Sequence, residues 1–173
     1  MKNLRNFKLQ SMINAPDSIT FLNLLCGVSS IIFSMNSMFR EAALAILLAA
    51  LFDYLDGKTA SMLRMKTDFG KELDSIADVV SFGVAPFVFG LSYIEYDAFL
   101  LISSAFFVIC GAARLARYNI MNYKQGFLGM PITMNAFIFP LIYFLALPDI
   151  VYPIAYALAG FLMVSSIRFR RLS

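Results

Sequence analysis

Asp53-Tyr54-Leu55-Asp56-Gly57-Lys58-Thr59-Ala60 and, after nine intervening residues, Gly70-Lys71-Glu72-Leu73-Asp74-Ser75-Ile76-Ala77-Asp78 decide how this chain is read. Together they place four carboxylates in a chain that is 60% hydrophobic. Asp53 and Asp56 lie three apart, and residues at that spacing share one helical face. Gly57 and Ala60 continue the face with almost no side chain, which leaves a notch beside the acids. Gly70, Asp74 and Asp78 repeat the arrangement at four-residue spacing. Two such helices facing each other offer a ring of oxygen ligands with room for a phosphate-bearing ligand.

The rest of the chain reads as the means of holding that ring at depth. With 173 residues and a mean hydropathy of +0.75, it is too apolar for an ordinary soluble domain. The expected fold class is all-α, a polytopic membrane protein. At roughly 20 residues per span, six spans fit, near 19–33, 41–63, 69–93, 98–118, 132–147 and 151–167. No repeat, low-complexity segment or soluble linker interrupts them, so one domain over 1–173 is expected. Cys26 and Cys110 fall inside apolar runs without paired spacing and read as buried thiols. The absence of His excludes imidazole catalysis and the usual zinc ligand sets. The formal charge of +3 is small, and no nucleic-acid partner is expected.

Lys2, Arg5 and Lys8, with Leu4, Phe7 and Leu9 between them, suit either a short amphipathic juxtamembrane helix or a basic tail that sets topology. Pro16-Asp17-Ser18 opens the first span, with Asp17 or Ser18 as the expected N-cap. Thr20 and Asn23 form a polar pair on its face, fit either for a ligand or for hydrogen bonds to a neighbouring helix. Of the fourteen Lys and Arg, all but Arg40 fall on one side of the six-span arrangement. The positive-inside rule therefore puts both termini in the cytoplasm of a cell-membrane protein. Tyr93, Tyr96, Tyr118 and Tyr123 near span ends suit interfacial anchoring. Ala42, Ala45, Ala49, Ala155, Ala159 and Gly160 are small enough to support close helix packing.

Asp53 precedes Arg64 by eleven residues, about 16 Å along a helix. All four acids are thus expected below the surface in the cytoplasmic half of the bilayer. Each buried acid costs roughly 2.5–3.5 kcal/mol at a helix centre, so the group needs solvation, pairing or metal. Lys58 and Lys71 are the nearest cations in sequence. Oxygen-only ligands favour Mg²⁺ or Mn²⁺, and four acids suffice for two divalent ions that would neutralise a pyrophosphate. One acid could accept a proton from an attacking hydroxyl.

Asp53-x-x-Asp56-Gly57-x-x-Ala60 followed by Gly70-x-x-x-Asp74-x-x-x-Asp78 resembles the signature of the CDP-alcohol phosphotransferases. One position departs from it: the family usually carries Arg directly after the Ala, and this chain has Ser61, with Arg64 one turn later. Leu73 to Pro86, Cys110-Gly-Ala-Ala-Arg114-Leu-Ala-Arg117-Tyr-Asn119, Gly129-Met-Pro131 and Asp17-x-x-Thr20-x-x-Asn23 resemble the integral-membrane phosphatidylserine synthase branch. The resemblance implies that the hydroxyl of L-serine attacks the lipid-side phosphorus of CDP-diacylglycerol, or of an archaeal CDP-lipid, and expels CMP. It implies that Asp53, Asp56, Asp74 and Asp78 bind two divalent ions, with Asp78 also the general base. Thr20, Asn23, Asp56, Gly57, Ala60 and Asp74 would line the CDP-lipid site. Six spans, a juxtamembrane N-terminal helix and a homodimer complete the family picture.

Arg114 and Arg117 lie three apart at the end of span four and can face one pocket. A guanidinium there could grip a serine carboxylate or lipid phosphate, with Asn119 and Ser81 as polar companions. Equally, the two could set topology and snorkel to headgroups. Three alternatives to serine transfer stay open: another alcohol such as glycerol phosphate or inositol phosphate, an intramembrane cation transporter, and a lipid-binding scaffold.

Overall fold

The computed structural model describes residues 13–95, 97–121, 127–166 and 168–169. The expected juxtamembrane helix, Tyr96, Tyr123 and Lys124 lie outside the described residues. The chain runs through α1 (Ala15–Met35), α2 (Phe39–Met62), α3 (Asp68–Asp78), a π-helical turn (Val79–Val84), α4 (Ala85–Tyr93) and α5 (Ala98–Met121). A short strand β1 (Phe127–Leu128) and a 3₁₀ turn (Ile132–Met134) lead to α6 (Asn135–Phe144) and α7 (Val151–Val164), and β2 (Arg168–Phe169) follows. The two strands pair antiparallel, Phe127 opposite Phe169. That ladder ties the segment before α6 to the segment after α7, and the other described elements are helices.

Helices form where the spans were expected, with three differences. First, α1 starts before Asp17, at Ala15. Asn14 is its N-cap, and Asp17, in the first turn, accepts a hydrogen bond from the Asn14 N–H at 2.8 Å. Second, the third span is α3, the π turn and α4 in succession. Third, three stretches are long and apolar enough to cross a membrane on those grounds alone: Ala15–Met35, Asp68–Tyr93 and Ala98–Met121. α2 has the length, at 24 residues, but carries charge on its sequence, and Ile132–Phe144 and Val151–Val164 are short.

Polarity is inverted relative to a soluble bundle. The buried face of α1 is Asp17, Thr20, Asn23, Gly27, Ser30 and Ser34, whereas Phe21, Leu25, Ile32 and Met35 point outward. Water would penalise that exposed apolar surface, and lipid does not. Small residues let α1 and α2 approach: Ala42, Ala45 and Ala49 are buried on α2, and Ser30 Oγ donates to the Ala42 carbonyl at 3.0 Å. Ala159 and Gly160 are likewise buried within the chain, Gly160 against Phe106 and Phe107. These small residues therefore serve contacts inside the chain. At the start of α2, remote from its acids, Phe39, Phe89, Tyr93, Tyr143 and Tyr152 pack ring against ring.

The α2–α3 connection that spaces the two acidic segments is closed locally. Met65 N–H bonds the Ala60 carbonyl and Arg64 N–H the Ser61 carbonyl, with Arg64 at φ 54. This is the helix-ending motif in which glycine usually supplies the left-handed residue. Thr67 then caps α3, its hydroxyl accepting from the Gly70 N–H at 3.0 Å.

Candidate active site

α2 and α3 bring the acids together. Ligand oxygens of Asp53, Asp56 and Asp74 all lie within 4.8 Å of one another. Asp78, one helical turn beyond Asp74, reaches hydrogen-bonding distance of the Asp53 carboxylate. Asp56 Oδ2, Asp74 Oδ1 and Asp78 Oδ1 are buried and have no hydrogen-bond partner among the described residues. Three carboxylate oxygens without donors inside an apolar bundle are costly as they stand. A hard divalent cation is the group that an all-oxygen donor set of this kind fits. The two nearest cations in sequence are engaged elsewhere: Lys71 Nζ donates to the Asn119 carbonyl at 3.0 Å, and Lys58 Nζ sits 5.9 Å from the centre of the Tyr54 ring.

Around the acids, α1 contributes a polar wall. The Thr20 hydroxyl stands within reach of both the Asp56 carboxylate and the Pro16 carbonyl, 3.3 Å from the latter. Asn23 is fully buried, and neither its amide nitrogen nor its amide oxygen has a partner among the described residues. Beside Asp56, a Cβ added at Gly57 would meet nothing within 4 Å, so the notch read from the sequence is open space. Ala60, one turn on, is half-buried. Gly70 differs: a Cβ there would stand 2.6 Å from Asp17 Oδ1, so its missing side chain seats the first turn of α1.

The structure separates the two arginines. Arg114 is buried, within electrostatic range of Asp78, and 5.9 Å from the centre of the Tyr118 ring; its Nε has no partner among the described residues. Arg117 instead donates to the carbonyls of Val164 at 3.3 Å and Met163 at 3.4 Å, closing the end of α7. The neighbouring Leu162 carbonyl accepts from Met130 N–H at 3.0 Å, a path that Gly129 opens with φ 77. The companions proposed for the arginines also have other partners. Ser81 Oγ donates to the Asn23 carbonyl at 3.1 Å. Asn119 Nδ2 donates to Ser75 Oγ at 3.0 Å and Glu72 Oε2 at 3.2 Å, tying α5 to α3.

Asp17, expected as a cap and as the first residue of the Asp17-x-x-Thr20-x-x-Asn23 resemblance, is buried and close enough to add to the negative field at Asp56. One residue escaped the sequence reading. Asn135 is fully buried at the start of α6, with Nδ2 3.6 Å from Met163 Sδ and Oδ1 lacking a partner among the described residues. A lone Asn in an apolar run carries no signal of that burial.

An acid cluster within helices, an open flank beside it and a buried guanidinium together form an arrangement that a divalent ion and a phosphate-bearing ligand would fit. The CDP-alcohol phosphatidyltransferase family matches residues 13–167, and the chain belongs to that family. It is 40% identical over 169 residues to the CDP-diacylglycerol–serine O-phosphatidyltransferase of Methanocaldococcus jannaschii, covering 94% of this chain and 77% of that relative. The Bacillus subtilis protein of the same name is 36% identical over 157 residues, covering 89% of this chain and 88% of its own. The archaetidylserine synthase of Methanothermobacter thermautotrophicus is 37% identical over 133 residues, covering 75% of this chain and 57% of the relative. Helical spans and family membership together make this an integral membrane protein.

Proposed function

We infer that the protein is a phospholipid-synthesising transferase that moves the phosphatidyl, or archaetidyl, group of a CDP-lipid onto the hydroxyl of L-serine and releases CMP. The observation that carries this reading is the convergence of Asp53, Asp56 and Asp74 beside the open flank at Gly57, in a chain similar to serine phosphatidyltransferases. Asp53, Asp56 and Asp74 hold the divalent metal, Mg²⁺ or Mn²⁺, with Asp78 completing a set sufficient for two ions. Bound there, the metal would neutralise the diphosphate and the departing CMP.

The chain's own residues supply the rest. Thr20, Asn23, Gly57 and Ala60 line the CDP side, where the absent side chain at Gly57 admits the ligand next to Asp56. Asp78 has one unpartnered oxygen and takes the proton of the serine hydroxyl. The serine oxygen bonds to the lipid-side phosphorus as the bond from that phosphorus to the CMP oxygen breaks. Arg114, buried and within electrostatic range of Asp78, holds the serine carboxylate or the lipid phosphate. The Lys and Arg distribution supports a six-span arrangement with both termini and the site on the cytoplasmic side. The match over 13–167 supports one domain across 1–173, and the resemblance supports a homodimer.

The test is CMP release by purified protein with Mn²⁺ or Mg²⁺, a diacyl or archaeal ether CDP-lipid, and serine, glycerol phosphate or inositol phosphate in separate reactions. Serine-dependent release is expected, and release with a phosphorylated alcohol alone rejects the assignment. Asp78→Asn is expected to lose at least about a hundredfold in turnover while still binding CDP-lipid.

A further inference from the structure

We propose that Tyr156, on α7, is a positioning residue for Asp78, acting through the π-helical turn that joins α3 to α4. The inference rests on the reading above that Asp78 takes the proton.

The turn begins at the residue after Asp78 and ends with Ala85 N–H bonded to the Val80 carbonyl, five residues back. Pro86 explains why the α-helical ladder does not continue. It has no N–H to donate, and its ring would press on the carbonyl of Phe82, four residues earlier. One extra residue in a helical turn rotates everything beyond it by about 100° relative to what precedes it. The span therefore carries two registers. Its first half turns Asp74 and Asp78 toward Asp53 on α2, and its second half turns Gly90 toward Tyr156 on α7.

A π turn is less favourable than α-helix and persists where its surroundings fix it. Here it is held at both ends. Near Asp78, Ser81 Oγ donates to the Asn23 carbonyl, and a Cβ on Gly27 would stand 2.8 Å from Ser81 Cα. At the far end, the Tyr156 hydroxyl donates to the Pro86 carbonyl. Its ring lies where a Cβ on Gly90 would come within 3.0 Å of two ring carbons. Tyr156 is fully buried and stacks on Phe139 with centroids 4.3 Å apart, so it cannot be re-aimed without moving α6. Its hydroxyl fixes the point where the π turn hands back to α-helix, and thus the angle at which Asp78 is presented.

Tyr156→Phe removes that hydroxyl and keeps the ring; Pro86→Ala restores the missing donor and lets the ladder revert. The full chain in lipid nanodiscs is compared with both variants and with Asp78→Asn. Each is followed by CMP-release kinetics, CDP-lipid binding, amide exchange over 79–86 and thermal unfolding. Tyr156→Phe is expected to lower kcat about tenfold, leave KM for CDP-lipid within about twofold, and speed exchange at 79–86. Pro86→Ala should lower kcat in the same way, which keeps the test readable if Tyr156→Phe fails to fold. Wild-type kcat in folded Tyr156→Phe overturns the proposal whatever Pro86→Ala shows, as does a loss that only tracks the amount of folded protein. If Tyr156→Phe does not fold, wild-type kcat in Pro86→Ala overturns it. Turnover retained by Asp78→Asn would instead sink the assignment of the proton to Asp78. An inactive Asp78→Asn beside fully active Tyr156→Phe and Pro86→Ala removes the positioning role alone.

Discussion

Asp17 Oδ1 lies where a side chain on Gly70 would have to go, 2.6 Å from an added Cβ. The first turn of α1 is thereby seated on α3, with Thr20 one turn on beside Asp56. Gly70→Ala should displace that turn and lower CDP-lipid affinity about tenfold. Asp17→Ala removes the obstructing carboxylate, so the double variant should bind better than the sum of the single losses predicts. A coupling energy of about 1 kcal/mol in a double-mutant cycle is expected, and strict additivity would show that the contact does not matter.

Gly57 gives the opposite case, since an added methyl meets no atom within 4 Å beyond the adjoining residues and backbone of its own helix. Gly57→Ala should leave unfolding unchanged or stabilise it by up to about 1 kcal/mol through helix propensity. Its KM for CDP-lipid should nevertheless rise several-fold, because the methyl occupies the open flank beside Asp56. A normal KM would mean that the nucleotide does not use that flank.

Arg114 and Arg117 should separate by readout. Arg114→Lys is expected to lose about a hundredfold in turnover with little change in unfolding temperature, because a single ammonium replaces a planar fork beside Asp78. Arg117→Ala should chiefly destabilise, by about 1–3 kcal/mol, through the carbonyls of Met163 and Val164 that lose their donor. Thermal scans run beside CMP release distinguish the two, and the reverse pattern would place the ligand at Arg117.

Removing divalent ions with a chelator should abolish CMP release and also lower the unfolding temperature. Metal at about 100 times its Kd stabilises the folded state by about 2.7 kcal/mol. Added Mn²⁺ or Mg²⁺ should restore both signals in the wild type. In a variant carrying Asp53→Asn and Asp56→Asn, the unfolding temperature should no longer respond to metal, because two of the three converging carboxylates are gone. A response as large as that of the wild type would move the metal site elsewhere.

Why the acids could be read in advance is a matter of helical geometry. Three- and four-residue spacings put Asp53 with Asp56 and Asp74 with Asp78 on single faces before any packing is known. Carboxylates inside apolar spans are too costly to be incidental, and so they marked the site. The hydrophobic runs likewise located the described helices to within a few residues, though not the break of the third into α3, a π turn and α4, because helix positions depend on local sequence and on the thickness of lipid.

What remained hidden depended on partners distant in sequence. Arg114 and Arg117 share a charge and one stretch of α5, yet Arg114 is buried near Asp78 while Arg117 donates to the carbonyls that end α7. Gly57 and Gly70 look equivalent as small residues, but one borders open space and the other the carboxylate of Asp17. Nor does Pro86 alone reveal a π turn, whose register is fixed by Gly27, Asn23 and Tyr156 from two other helices. Sequence by itself determined which stretches are apolar helices and which residues share one face of their own helix. Only the tertiary structure decided what each face meets, because the approach and rotation of neighbouring helices follow from packing across the whole bundle.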